Sequence, residues 1–116
     1  MLVSLEDAKA YLRVDSSYED ASVITPLLAS AEALCRDTAR LSQEEWDAVV
    51  SGDYGETVEI RGEERDASEV GTWPAILRVA VFFTLGYLYE HREEADHHAL
   101  ARTLRNLLFS VREGVF

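Results

Sequence analysis

Hydrophobic residues recur at intervals of three and four positions over most of the chain, which is the spacing of amphipathic α-helices. The first helix is predicted to follow Ser4, an N-cap with Asp7 three residues later in a variant of the capping box. It should end near residues 15–17. Its predicted buried stripe consists of Leu5, Ala8 and Leu12.

A second helix is predicted from a similar start, in which Ser17 is followed by Asp20. Pro26 disturbs the pattern, because proline cannot donate a hydrogen bond to the carbonyl of Ser22. Either the helix kinks at Pro26, or it begins with Thr25 as its cap and Pro26 in its first turn. The predicted core positions are Ala21, Ile24, Leu28, Ala31, Leu34 and Cys35.

A short third helix and a polar segment occupy the middle of the chain. Ser42 and Glu45 form a predicted capping box, and Gly52 is the predicted stop. The apolar face between them consists of Trp46, Val49 and Val50. Alternation over residues 57–61 then predicts one short strand or a hairpin within an exposed, acidic loop.

The most apolar segment holds eleven consecutive uncharged residues, 79–89. Pro74 fits the first turn of a helix capped by Thr72 or Trp73, which should extend to about Arg92. A membrane span needs about 20 predominantly apolar residues, so membrane insertion is not expected. Two interpretations remain: the central helix of a bundle, or a helix with one face on its own core and another on a neighbouring protomer.

Aromatic residues are concentrated in this helix, where Phe82, Phe83, Tyr87 and Tyr89 fall within eight positions. Four aromatics exceed what one narrow buried stripe needs, and aromatics are enriched at protein interfaces. They are therefore candidate interface residues, with plain core packing as the alternative.

The last predicted helix, within residues 96–113, has a leucine face and an arginine face. The leucine face consists of Leu100, Leu104, Leu107, Leu108 and Val111, and the opposite face carries Arg102, Arg105 and Arg112. Phe109 lies seven positions after Arg102 and so falls on the arginine face. It is either a docking anchor for a partner or the point where the helix frays and the ring folds back onto the core.

Together these elements predict a mainly α protein: a small bundle of four to five helices with a long acidic loop. This loop either contains a short strand or β-hairpin or is mobile. A length of 116 residues is sufficient for one domain.

The net charge of −11 excludes a protein that reads duplex DNA, because phosphate binding requires clustered lysine and arginine. Cys35 cannot form an internal disulfide, and the acidic opening does not resemble a signal peptide, so we expect synthesis in the cytoplasm.

The negative charge is confined to the first part of the chain. Residues 1–70 carry 17 acidic against 6 basic side chains, whereas residues 71–116 carry 5 of each. A basic stripe on the last helix could therefore meet the acidic surface of a neighbouring copy. Such a head-to-tail contact closes into a ring when the rotation between copies allows it.

Motifs of enzymes are scarce. The sequence has no P-loop, dinucleotide glycine pattern or nucleophile elbow. One E-x-x-H, from Glu94 to His97, lies near His91 and His98, but di-metal bundles need a second such pair, which is absent. We therefore expect neither enzyme activity nor a metal or other cofactor.

Several segments resemble one protein family. They are "LVSLEDAKAYLRVD", "SSYEDAS", "LLASAEALCRDTA", "WPAILRVAVFFTLGYLYEHREEA" and "LRNLLFSVRE", which cover residues 1–40 and 73–112, about two thirds of the chain. Of these, "LEDAKAYLRVD" and "YLYEHREEA" are the most specific. The chain resembles the head-tail connector, or head-completion adaptor, proteins of long-tailed double-stranded DNA phages and prophages.

The resemblance implies a single helical connector domain over residues 1–116, whose copies form a ring beneath the portal protein. Such a ring bridges the head to the tail completion, or stopper, proteins, and DNA passes through it without sequence-specific binding. The implied location is the head-tail junction of the virion, after assembly in the host cytoplasm. An acidic bore would let DNA pass without adhering.

Two features depart from the family pattern: Pro26 and the long acidic segment 41–71. Because long loops in compact domains are usually functional or disordered, we expect "SGDYGETVEIRGEERDASEVG" to contact the portal or a neighbouring subunit. The acidity also suits a different class, a small helical binding protein such as an antitoxin-like or DNA-mimicking inhibitor.

Overall fold

The computed structural model describes residues 2–12, 21–91 and 97–113. The helices with eight or more residues in these ranges are α1 (Leu5–Leu12), α2 (Ala21–Thr38), α3 (Gln43–Ser51), α5 (Trp73–Glu90) and α6 (His98–Leu107). Shorter elements are the strands β1 (Thr57–Ile60) and β2 (Glu63–Asp66) and the helices α4 (Ala67–Val70) and α7 (Phe109–Glu113). The prediction of a mainly α bundle with a β-hairpin is confirmed.

Helix α5 is central to the bundle and packs chiefly against α2, with α1 and α6 also in contact. Helices α2 and α5 approach closely at the small residues Cys35 and Thr84. The Cys35 Sγ and Thr84 Oγ1 atoms are 3.6 Å apart. The Thr84 hydroxyl also donates to the carbonyl oxygen of Ala80 (2.8 Å), which satisfies it in an otherwise apolar core. The buried positions of α5 are Trp73, Leu77, Ala80, Val81, Thr84 and Leu85.

The predicted helix starts are confirmed at α1 and α3. The Ser4 hydroxyl accepts from the Asp7 N–H (3.1 Å). In α3, Ser42 and Glu45 form the full reciprocal capping box, and Gly52 ends the helix at a left-handed φ of 70°. That conformation is accessible to glycine at little cost, which explains why the helix stops there.

Helix α2 passes through Pro26 rather than beginning beside it. Its described part starts at Ala21, so the alternative with Thr25 as the cap is wrong. The proposed start at Ser17 and Asp20 lies outside the described residues, as does the predicted end of the first helix at 15–17. Cys35 is fully buried as predicted, but Leu34 is 39% exposed because the neighbouring helices cover the adjacent Ala31 and Cys35 side of α2.

The acidic middle segment is a docked hairpin. Its strands pair from Thr57 with Asp66 to Ile60 with Glu63, which leaves Arg61 and Gly62 as a two-residue loop. Both loop residues have positive φ, 53° and 79°, as a tight hairpin turn requires. Ile60 is fully buried, so the hairpin shares the core of the bundle.

Helix α5 begins with Pro74 in its first turn after Thr72, as predicted, and ends at Glu90, two residues before the predicted end at Arg92. The last helix is divided at Leu108 into α6 and α7, which the leucine pattern did not indicate. Leu100, Leu104, Leu108 and Val111 are buried. Leu107, which we placed on the same face, is instead 37% exposed. Leu107 and Leu108 are about 100° apart around a helix, and the bundle covers only the Leu108 side.

Candidate interaction surfaces

The aromatic residues of α5 divide into an internal and an exposed group. Phe82 is half-buried against Tyr11 of α1, with ring centroids 4.8 Å apart. The Arg78 guanidinium lies 4.9 Å above the Phe82 ring and also pairs with Asp7 (3.1 Å). Tyr89 is half-buried against the core. Phe82 and Tyr89, both predicted interface residues, are therefore largely used in packing within the chain.

Phe83 belongs to the exposed group, together with two residues that the sequence did not single out. Phe83 is 39% exposed, Val79 is 58% exposed one turn earlier, and Tyr11 is 48% exposed on α1. Scattered exposed hydrophobic residues are ordinary, but adjoining ones mark interaction surfaces. The position of Tyr11 outside the Leu5, Ala8 and Leu12 stripe was the signal available in the sequence.

Tyr11 and Phe83 border an open cleft of about 220 Å³ between α1 and α5, which we call the Tyr11 cleft. It is lined by Tyr11, Phe83, Gly86, Tyr87, Glu90 and His91. Gly86 allows the two helices to approach closely here, since a Cβ at this position would lie 3.3 Å from the Tyr11 ring. The cleft thus combines three aromatic walls with one carboxylate.

Tyr87 forms one wall of this cleft and is held by histidines. Its ring stacks on that of His91, with centroids 4.2 Å apart, and meets the edge of the His97 ring at 5.7 Å. The Nδ1 atom of His91 lies 2.9 Å from the Tyr87 carbonyl oxygen. These contacts hold the Tyr87 ring in place as one wall of the cleft.

The arginine face predicted for the last helix is exposed in part. Arg102 and Arg105 of α6 are exposed, Arg112 of α7 is half-buried, and Phe109 at the start of α7 is 53% exposed. The alternative in which the Phe109 ring folds back onto the core is therefore wrong. We call Arg102, Arg105 and Phe109 the Phe109 surface.

A second cleft, of about 260 Å³, lies beside the Phe109 surface where α2 ends against α6 and α7. It is lined by Asp37, Thr38, Arg40, Ala101, Arg105 and Arg112. The structure thus brings Arg105 and the half-buried Arg112 together with Arg40, which sequence reasoning missed because it follows a different helix. Three guanidinium groups against one carboxylate make this region positively charged.

The opposite charge is concentrated on α3 and the hairpin, which form what we call the acidic surface. A groove of about 410 Å³ there is lined by Ser42, Glu44, Glu45, Ala48 and Glu59. Burial by itself raises the pKa of Glu45, but hydrogen bonds from Ser42 and from the Arg61 N–H outweigh it and lower the pKa overall. The exposed carboxylates of α3, the hairpin and the segment between them are those of Glu44, Asp47, Asp53, Glu56, Glu59, Glu63, Glu64 and Asp66.

Metal and nucleophile chemistry have little support in the described part of the chain. No group of three or more His, Cys, Asp or Glu side chains could hold a metal ion among those residues. Glu94 and Asp96 of the E-x-x-H lie outside them. Burial raises the pKa of the Cys35 thiol to about 11, with Thr84 lowering it and Glu32 raising it further, so a thiolate nucleophile is disfavoured.

By length and composition alone, the helical stretch Ala67–Glu90 could cross a membrane, with a mean hydropathy of 1.3 over its most apolar window. Core helices of soluble proteins meet the same criterion. In this chain one side of α5 is packed against α2, and Arg78 interrupts the stretch with a charge that pairs with Asp7.

Comparison with known proteins identifies no relative: no family model, no curated protein and no solved structure matches this chain.

Proposed function

We propose that the protein is a structural virion subunit, a head-tail connector whose copies form a ring between the portal and the tail completion proteins of a long-tailed phage or prophage. The resemblance of residues 1–40 and 73–112 to such connectors supports the location. The Tyr11 cleft and the Phe109 surface support the assembly.

The observation that carries the assembly is that one chain exposes two different aromatic surfaces on separate elements. The Tyr11 cleft is built by α1 and α5, whereas the Phe109 surface is built by α6 and α7. A pair of unlike surfaces favours contacts of the head-to-tail type, which extend from copy to copy and close into rings. A symmetric dimer would instead use one self-complementary surface.

The acidic surface supports passage of DNA without adhesion. Exposed carboxylates on α3 and the hairpin repel phosphate groups, so a ring that turns this surface toward its bore would not retain the DNA. In this proposal the hairpin also contacts the portal or the neighbouring subunit.

The first experiment is the molar mass of the purified chain by light scattering over a wide concentration range, alone and with a portal protein from the same genome. We expect closed rings, visible by electron microscopy, in at least one of the two conditions. A chain that stays monomeric in both conditions and does not bind the portal contradicts the proposal.

Charge reversal tests the head-to-tail character of the contact. Arg102→Glu and Arg105→Glu should each weaken self-association, because each puts a carboxylate in the place of a guanidinium that faces an acidic neighbour. Lys9→Glu on α1 changes the net charge by the same amount and serves as the control. Equal assembly of all three variants would remove the electrostatic part of the proposal.

The hairpin is tested by substitution rather than deletion. Deleting the segment would remove Ile60 and Arg61, which are anchored in the core and against the helices. Glu63→Lys and Glu64→Lys alter exposed positions, where they remove the surface ion pair of Glu63 with Arg65 and the hydrogen bond from Thr57 to Glu64. We expect them to reduce portal binding or ring formation with little change in the melting temperature. Normal portal binding and normal ring formation would show that the hairpin is not a contact.

The acidic surface also favours a second candidate, an antitoxin-like or DNA-mimicking inhibitor that occupies a basic site on another protein. Such an inhibitor would be a monomer or dimer and would bind its target in competition with DNA. Neutralising Glu44 and Asp47 of α3 together would abolish that binding, whereas it would leave connector rings intact, because α3 lies outside the proposed contacts.

A further inference from the structure

We propose that Phe109 of one copy inserts into the Tyr11 cleft of the next, with Arg102 and Arg105 beside Glu90 at the rim. This inference rests on the proposed ring and specifies the contact that builds it. The occupant of the cleft is thus a second copy of this chain.

Phe109 has the properties of a fixed anchor. It lies between Leu108 and Val111, both fully buried, which hold the start of α7 against the bundle. The Leu108 N–H also donates to the Leu104 carbonyl oxygen (2.9 Å), so the backbone at the division between α6 and α7 remains hydrogen-bonded. Because the backbone that carries Phe109 is held in place, this half-exposed side chain loses little conformational entropy when it binds a partner.

The Tyr11 cleft has the size and chemistry to receive a phenyl ring. A cavity of about 150 Å³ in another protein accommodates benzene, and this cleft measures about 220 Å³. The rings of Tyr11, Phe83 and Tyr87 offer faces and edges for aromatic contacts. Gly86 contributes no side chain to the cleft, and the Tyr11 ring packs close to its Cα.

Charge complements shape at the edges of this contact. Glu90 is exposed at the cleft, and Arg102 and Arg105 are exposed on α6, which directly precedes the helix that begins at Phe109. His91 is the other titratable group that lines the cleft besides the tyrosines. An arginine placed near Glu90 would fix the orientation of the incoming helix, since rim charges contribute mainly to register and association rate.

The contact is between copies because, in the part of the chain that the structure describes, Phe109 does not fill the cleft of its own chain. Phe109 is 53% exposed and is not one of the residues that line this cleft. Each chain therefore has one anchor and one cleft on different elements. A head-to-tail ring requires two such unlike surfaces on every subunit.

Two variants test the inference by breaking opposite halves of the contact. Phe109→Ala lacks the anchor but keeps the cleft, and Gly86→Leu fills the cleft but keeps the anchor. Under the condition in which the wild-type chain assembles, alone or on a portal ring, each variant should associate about 30-fold more weakly or worse, as expected of an interface hot spot. An equimolar mixture of the two should form one-to-one dimers, because only one anchor and one cleft remain.

Two controls protect the test against misfolding. Leu107→Ala removes an exposed apolar side chain on α6 and should assemble like the wild type. Because leucine at position 86 must displace the Tyr11 ring, Glu90→Arg provides a second way to impair the cleft. Its assembly should be restored when it is mixed with a chain carrying Arg102→Glu and Arg105→Glu.

The outcomes separate this inference from the proposed function. Rings of normal stability from Phe109→Ala overturn the inference and leave the connector proposal standing. Folded single variants that are both monomeric but do not pair in the mixture also overturn it. A wild-type chain that never assembles, even with the portal, overturns both.

Discussion

The Arg61 guanidinium donates a hydrogen bond to the carbonyl oxygen of Val111 over 2.7 Å, which ties the hairpin turn to the last helix. Another nitrogen of the same group donates to the carbonyl oxygen of Ala39 (3.1 Å), beyond the end of α2. The backbone N–H of Arg61 donates to the Glu45 carboxylate of α3. One turn residue thus connects three helices to the hairpin.

Arg61→Ala should lower the free energy of unfolding by about 1–3 kcal/mol, because it leaves helix-end carbonyl groups without their charged donor. Urea denaturation at low protein concentration measures the effect. Arg102→Ala, which removes an exposed arginine, is the matched control and should stay within about 0.5 kcal/mol of the wild type. Equal stability of the two variants would mean that the guanidinium contacts do not hold the hairpin.

Glu45 should make the stability depend on pH. Its pKa is lowered in the folded protein, so the folded state releases this proton more readily than the unfolded state does. The resulting stabilisation is present above its ordinary pKa of about 4.5 and is lost as the pH falls through the folded value. Glu45→Gln should therefore be less stable than the wild type at pH 7 and lose less stability between about pH 5 and pH 3.

The control for this prediction is Glu44→Gln, which changes an exposed neighbour in the same helical turn. It should follow the wild-type profile of unfolding free energy against pH. A Glu45→Gln profile parallel to that of the wild type would contradict the assigned role of the carboxylate.

Cys35 should resist modification in the folded protein. With its pKa at about 11 and its side chain fully buried, only about one thiol in a thousand would ionise at pH 8, and reagent could not reach it. A thiol-reactive dye should label the chain only in denaturant, at one site per chain. Rapid stoichiometric labelling under native conditions would contradict the packing of α2 against α5.

Pro26→Ala should stabilise the protein, because alanine restores a donor to the Ser22 carbonyl in a helix that already continues through this position. The helical gain is about 3 kcal/mol, and the greater freedom of the unfolded chain offsets up to about 1 kcal/mol of it. We therefore expect the free energy of unfolding, measured by urea denaturation, to increase by about 2–3 kcal/mol. Ser30→Ala, exposed on the same helix, controls for helix propensity and should change stability by only a few tenths of a kcal/mol.

The sequence alone determined the local features of this protein. The Ser42 and Glu45 capping box, the stop at Gly52 and the place of Pro74 depend on residues three or four positions apart, so they could be predicted without the fold. Helical spacing likewise placed Phe109 on the arginine face, although it left open whether the ring is exposed or folds back onto the core. The helix pattern and the alternating strand likewise predicted a mainly α bundle with a hairpin.

The tertiary structure decided which residues from distant parts of the chain meet. Tyr11 and Gly86 form one cleft, and Arg40 joins Arg105 and Arg112, only because the helices pack at particular positions. Glu45 was predicted as a capping residue, but its second oxygen receives Arg61 from the hairpin. Such contacts depend on helix packing rather than on spacing, which is also why the exposure of Leu107 and the division at Leu108 were missed.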